Sequence, residues 1–479
     1  MTEIINRERE QAELAGLLAT GSPKLVLLTG RRRVGKTFLL THVWPTDQTF
    51  YFTAANTSPA QNRMALLAEA ARWSGQALNP EDYPTWRTVF RLLLNLRAPD
   101  PIAIVLDEFQ YFGDSEQALS AVASELNAVW EERRPTRSLV MALAGSAVRP
   151  MEALNAGAAP LYGRFHWQAQ LTPFDYYYAG EMAPFPSLRD RAIAYGIFGG
   201  VARYLAAVDT SKSLAENVAA LMLHPRGEVR MQVETALLQE QGLRDIGSYN
   251  AILRAIGDGR TDRNGIGQRA GIPNDTPLRD KLERLIDLGY LEARRNLGAL
   301  PNAPYRYRLA DPAQMFHSTF VAPLEAELAR YDPADVWTEQ IVPRLDSYMG
   351  HIFERMVEQA YARLRTTLKL PMVSEWGRWE GVDRERKSLE MDITSRLSNG
   401  TVLTGAIKWN AHPLGAAVHQ DHMRDLARLT TLGLPWAHQA AQRDAPLLYV
   451  GAGGFSSAFG AAVAGSGHPA TAWALEDLY

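Results

Sequence analysis

The chain has 479 residues, 46% hydrophobic and 22% charged, which is the balance of a globular protein with length for roughly three cores of about 150 residues each. Its formal net charge of −3 excludes a general basic field for nucleic acid, so any such contact must rest on a local patch. It has no cysteine, which excludes disulfides, thiolate metal sites and cysteine nucleophiles.

The opening MTEIINRERE is charged and lacks the apolar segment of a secretory leader. The weakly polar stretch from Tyr449 to Gly465 is too short to span a bilayer, so the expectation is a cytoplasmic protein with no membrane partner. Lys24–Thr29 (KLVLLT) reads as a buried strand ending at Gly30, and Thr37–Val43 as the helix after it. Helices are expected over Gln61–Trp73 and Trp86–Leu96. Ile102–Leu106 and Ser138–Leu143 read as two further buried strands, ending at Asp107 and at Ala144-Gly145-Ser146. Strands alternating with helices predict an α/β core, a parallel sheet with helices on both faces. Such sheets bind ligands at the carboxyl ends of their strands, where all three of these carry polar residues.

From Ser187 to Leu223 the pattern is helical. Ile252, Leu253 and Ile256 then share one apolar face, Ile266 sits on a second short helix, and Leu278, Leu282, Leu285 and Leu288 follow at helical spacing. Tyr290–Leu291 and Tyr305–Leu309 read as short strands around a Pro/Gly/Asn loop, completing the pattern of a winged helix-turn-helix. Asp332–Asp335 (DPAD) reads as a linker. A helix over Gly350–Arg363, strands over Ser388–Thr394 and Thr401–Trp409, and a helix over Ala417–Leu429 form a small α/β domain. The expected organisation is a P-loop core over 1–180, a helical lid over 181–228, the winged helix over 229–320, a linker over 321–340 and the α/β domain over 341–479.

Gly30-Arg31-Arg32-Arg33-Val34-Gly35-Lys36-Thr37 fits GxxxxGK[ST] between a predicted strand and the helix that continues through Phe38. The glycines let the backbone wrap phosphates, and the helix start offers unpaired N–H groups to the anion. ATP is the expected ligand, with Lys36 on its β- and γ-phosphates and Thr37 on Mg²⁺. Asp107-Glu108 ends the IAIVL strand as a Walker B pair, Asp107 for the metal and Glu108 for the attacking water. Ser146 is either a sensor of the γ-phosphate or a plain turn residue.

Six blocks carry a family resemblance: INREREQAELAGLL, GRRRVGKT, LDEFQYF, ALAGSAVRPME, PLYGRFHWQAQLTPFDYY and YGIFGGVARYL. In order and spacing, over roughly residues 3 to 210, they resemble the archaeal-type ATPases, a branch of the STAND and AAA+-like NTPases. The resemblance implies ATP hydrolysis and places Arg7-Glu8 near the adenine side. It also implies Arg164 as an arginine finger or phosphate sensor and Arg203 as a sensor 2-like residue, against the plainer reading of both as surface salt bridges. A finger supplied in trans would require a homo-oligomer, and one in cis would not.

The winged-helix segment holds the most basic local surface, with Arg279, Lys281 and Arg284 on its third helix and Arg294, Arg295, Arg306 and Arg308 on the wing. DNA is the expected partner, through phosphates and base edges. The alternative is a protein-contact surface on which Arg279/Glu283 and Asp280/Arg284 are ordinary helical pairs.

In the last domain, Glu354, Asp392 and Lys408 resemble the PD-(D/E)XK nuclease arrangement, and more closely the C-terminal domain that accompanies archaeal-type ATPases. The resemblance implies two carboxylates, Glu354 and Asp392, holding Mg²⁺ or Mn²⁺, with Lys408 activating water. Ala406 stands where the pattern has a glutamate. Three readings stay open: a natural binding relic, a migrated acid such as Glu390 on the same strand face, or an introduced substitution. Loss of one metal-binding carboxylate weakens phosphodiester chemistry, so the chain as written is expected to cleave poorly or not at all. Two functions follow, an ATP-driven DNA-processing enzyme and a regulatory NTPase switch whose C-terminal modules bind protein partners.

Overall fold

The computed structural model describes residues 5–132, 137–240, 243, 245–300 and 302–479. These divide into two units, one running to Pro173 and including Val201–Arg203, the other comprising Phe174–Gly200 and Tyr204–Tyr479.

The first unit contains α1 (Glu8–Leu18), β1 (Lys24–Thr29), α2 (Lys36–His42), β2 (Thr49–Thr53), α3 (Pro59–Ser74), α4 (Trp86–Leu94), β3 (Ile102–Asp107), α5 (Glu116–Glu132), β4 (Leu139–Gly145) and β5 (Trp167–Gln170). The strands form one parallel sheet in the order β2-β3-β4-β1-β5. β3 and β4 are buried along their whole length, which is why they read as continuous apolar runs. Side chains alternate between two apolar cores: Leu25, Leu27, Ile104 and Leu106 face one, and Val26, Leu28, Ala103 and Val105 the other. β2 and β5 were not legible in the sequence; they are sheet edges, and β5 is a four-residue strand with no fully buried position. Thr29 pairs with Gly145 and Thr53 with Asp107, so the register brings the polar strand ends to one edge of the sheet.

In the second unit, α6 (Leu188–Phe198) starts at Ser187, whose side chain accepts from the N–H of Asp190. The stretch expected as a lid is helical, and most of it belongs to this unit. α7 (Ile246–Gly257), α8 (Arg263–Ala270) and α9 (Thr276–Asp287) precede an antiparallel ribbon of β6 (Leu291–Arg294) and β7 (Arg306–Leu309). Ile252, Leu253, Ile256, Ile266, Leu278, Leu282 and Leu285 form its core, the residues whose spacing predicted it. Asp275 is the N-cap of α9, and Pro277 falls at the second helical position.

The expected linker is not extended chain. Asp332 caps a helical turn over Pro333–Val336; Val336, Trp337 and Ile341 are buried, and the chain runs directly into α10 (Val342–Leu364). β8 (Val373–Glu375), β9 (Trp379–Val382), β10 (Ser388–Met391), β11 (Ile393–Leu397), β12 (Val402–Lys408), α11 (Ala416–Thr431), β13 (Leu447–Gly451), α12 (Ser457–Ser466) and β14 (Ala470–Trp473) follow. The mixed sheet has the order β14-β13-β12-β11-β8. The strand expected over Ser388–Thr394 breaks at Asp392: β10 pairs only with β9 in a separate ribbon, while β11 joins the sheet. Glu390 and Asp392 therefore do not share one strand face. The turn at Asn399–Gly400 is present, with Gly400 at φ 86°. Among the described residues, no helix is long and apolar enough to cross a membrane.

Candidate active site

The P-loop joins β1 to α2 by a turn that only glycine permits at its first position: Gly30 has φ 148°, and a Cβ there would lie 2.4 Å from the Leu171 carbonyl oxygen. Gly35, at φ 101°, is the N-cap of α2, and Arg33 is also left-handed at φ 70°. Val34 is buried beneath the loop. The Lys36 ammonium is buried within it, donating to the carbonyls of Gly30 at 2.6 Å and Arg31 at 3.1 Å. Phe38 is exposed and stacks on His42. Arg32 donates to the Tyr111 hydroxyl at 2.7 Å.

At the end of β3, Oδ2 of Asp107 accepts from the Thr37 hydroxyl at 2.9 Å and from the Tyr51 hydroxyl at 2.5 Å. Burial, then the Asp107 charge, pushes the Tyr51 phenol well above its usual range, so it acts as a donor. Glu108 adopts a left-handed backbone (φ 54°, ψ 42°), a sparsely populated conformation for this residue type that turns the chain off the strand. Its Oε2 accepts from the Ser146 hydroxyl at 2.7 Å, the Ser146 N–H at 3.3 Å and the Gln110 amide. Burial pushes this carboxyl up, but those donors and the charges of Lys36 and Arg32 outweigh it and hold it below the usual range. The sequence reading missed Tyr51 and Gln110. Gln110 lies two residues past Glu108, but no rule of spacing marks Tyr51, which reaches Asp107 across β2–β3.

These residues fit a nucleoside triphosphate with Mg²⁺. The loop has the glycines for a phosphate cradle, the buried ammonium sits inside it, and the Thr37 hydroxyl and Asp107 carboxylate, oxygen donors of the kind Mg²⁺ takes, meet beside it. Of the arginines, Arg7 donates to the Thr172 carbonyl at 2.7 Å and pairs with Glu10. The Arg203 N–H meets the P-loop at the Arg33 carbonyl, 3.3 Å away. Arg164 pairs with Glu131 at 2.9 Å, both well exposed.

A cavity of about 730 Å³ lies within the second unit, lined by the ribbon arginines and by Glu354, Asp392 and Arg378. The ribbon arginines are engaged inside the unit. Arg294 reaches Glu358 at 2.8 Å, Arg308 reaches Glu292 at 2.7 Å, and Arg355 of α10 reaches Glu292 at 2.9 Å. Burial pushes the Glu292 carboxyl up, and the three arginines more than offset it. Arg295 stacks 3.9 Å over Tyr305, and Arg306 lies 3.9 Å from Asp262. On α9, Arg279 pairs with Asp280 at 3.2 Å, Lys281 with Asp245 at 3.1 Å, and Arg284 is half-buried.

Glu354 of α10 accepts from Arg378 Nη1 at 3.0 and 3.3 Å. Burial pushes its carboxyl up to about 7, Arg378 opposing and Asp392 adding to the rise. Oδ2 of Asp392 accepts from the Ile407 N–H at 2.9 Å and from Lys408 Nζ at 2.8 Å. Ile407 lines the cavity; Ala406 instead packs with Leu447, Tyr449 and Phe459 in an apolar cluster. Among the described residues, no group of three or more His, Asp and Glu side chains stands together as a metal-ligand set. In this second constellation the Glu354 carboxylate is paired with Arg378 and the Asp392 carboxylate with Lys408, so it does not fit a divalent metal as the first one does.

A parallel sheet with a P-loop after its first strand and an acidic pair at the end of a buried strand separated from it by one other is the architecture of a P-loop NTPase. Residues 4–208 match the family described as an ATPase domain predominantly from Archaea, and residues 317–423 match one described as Archaea bacterial proteins of unknown function. The chain thus carries an archaeal-type ATPase domain followed by a domain of the second family. An uncharacterised protein of Methanocaldococcus jannaschii is 22% identical over 78% of this chain and 81% of its own length. Among solved structures, the Walker-type ATPase of Pyrococcus abyssi is 20% identical with a TM-score of 0.47, over 66% of this chain and 96% of that one. The Aeropyrum pernix ORC2 protein is 16% identical with a TM-score of 0.45, over 68% of this chain and 96% of that one.

Proposed function

We propose that the chain hydrolyses ATP and couples the nucleotide state to DNA binding by its winged helix, with a nuclease-type domain after it. The observation that supports hydrolysis best is the meeting of Thr37, Asp107, Glu108 and Ser146 at one sheet edge. Lys36 and the loop N–H groups would hold the phosphates, and Thr37 and Asp107 would hold Mg²⁺, which when bound neutralises charge on the β- and γ-phosphates. Glu108, steadied through Oε2, keeps Oε1 to orient the attacking water and take its proton. Tyr51 fixes the rotamer of Asp107 by donating to it. Arg164 and Arg203 are the proposed γ-phosphate and lid arginines.

The test is ATP turnover beside equilibrium binding of duplex and single-stranded DNA across a salt series. This reading expects turnover that is lost in Lys36→Ala. It also expects an affinity that falls steeply with salt, with the salt slope reduced by about one in Arg279→Ala. No binding of either DNA at low salt overturns the DNA part and leaves the ATPase part standing.

One observation favours a second reading, a STAND-like regulatory NTPase whose C-terminal modules bind a protein. Arg294 and Arg308, expected on phosphates, are neutralised by Glu292 and Glu358. This reading expects slow turnover and partner binding that changes with nucleotide.

A further inference from the structure

The carboxylates of the C-terminal domain are not waiting for a metal; they already surround a cation. Arg378 spreads its guanidinium fork among three of them. Nη1 meets both oxygens of Glu354, at 3.0 and 3.3 Å, and Nη2 meets Glu380 at 2.8 Å and Glu390 at 3.3 Å. These acids come from three elements, α10, β9 and β10, so the contact is tertiary and not a local helical pair. A planar fork with fixed donors satisfies several carboxylates at once, which a point charge cannot do with the same geometry.

The fourth acid is also engaged. Asp392 sits at the break between β10 and β11, where its Oδ2 receives the Ile407 N–H and the Lys408 ammonium. The position of the missing glutamate closes the argument. Ala406 is 8% exposed and faces Leu447, Tyr449 and Phe459, so a carboxylate there would enter an apolar cluster and not the cavity that Glu354 and Asp392 line.

We infer that Arg378 is a resident cation, taking among Glu354, Glu380 and Glu390 the place that a nuclease of this type gives to a divalent metal, so that the domain takes up no divalent metal and does not cut phosphodiesters. The inference rests on the nuclease-like reading of the domain but not on ATP turnover or on DNA binding.

The experiment is Mn²⁺ binding to the full chain, followed by electron paramagnetic resonance without nucleotide. An Asp107→Asn background silences the P-loop site. The expected result is no bound Mn²⁺ into the millimolar range, and one new site once Arg378→Met is added. Methionine keeps most of the side-chain volume while removing the charge. The new site should disappear with Glu354→Gln. A Mn²⁺ site in the Asp107→Asn chain that is lost with Asp392→Asn would overturn the inference, and this arm leaves Arg378 untouched. A folded Arg378→Met chain that still takes no Mn²⁺ would overturn it as well.

Discussion

Oε2 of Glu108 receives donors from Ser146 and Gln110, and this convergence decides how the carboxylate behaves at low pH. A carboxyl held below its usual range stays ionised, and active as a base, further into acid. Glu108→Gln should lower kcat by about 10²–10⁴-fold while nucleotide still binds, measured by steady-state turnover and by titration with a fluorescent nucleotide. Gln110→Leu removes one donor from Oε2 at similar volume, so the acid limb of the kcat–pH profile should move to higher pH. A limb that stays put would show that Gln110 only fills space. Ala406→Glu, the change that would complete the nuclease pattern on paper, should destabilise the chain by about 3 kcal/mol or more, because it buries a charge against Tyr449 and Phe459. Chemical denaturation of the two chains tests it.

Among the elements, β12 shows how one backbone position governs a sheet. A Cβ on Gly405 would lie 1.7 Å from the Leu448 carbonyl oxygen, so Gly405→Ala should force β12 away from β13 and cost about 3 kcal/mol or more, read from the denaturation midpoint. A second element-level contact is titratable. His317 hydrogen-bonds Glu234 at 3.2 Å, and this bond, with Arg230 opposing the effect of burial, holds the carboxyl down to about 2 from an ordinary 4.5. A folded-state value below the unfolded one means stability present above about 4.5 and lost as pH falls toward 2. The gap in melting temperature between the chain and Glu234→Gln should therefore narrow as pH is lowered through that window. The strands of the C-terminal sheet were only partly readable beforehand. β12 was predicted from its apolar run, whereas the break between β10 and β11 was not, because it depends on which partner each half finds.

For the molecule as a whole, the arginines on β6 and β7 were expected on a nucleic-acid surface. Glu292 and Glu358 instead gather Arg294, Arg308 and Arg355 into one network between the ribbon and α10. Glu292→Gln would leave three neighbouring cations short of their shared anion and should cost about 3–5 kcal/mol. An unchanged unfolding midpoint would show that the network is dispensable. The sequence by itself determined the P-loop, the Asp107-Glu108 pair, and the helical core around Leu278 and Leu282. These depend on neighbours a few residues apart, or on apolar periods of two and 3.6 that a single segment carries within itself. Only the tertiary structure decided that Tyr51 holds Asp107, that Arg378 occupies the Glu354 carboxylate, that position 406 faces away from the cavity and that Arg294 and Arg308 are already paired. Each joins residues on different elements at no fixed separation, and such pairings are set by how whole sheets and helices pack.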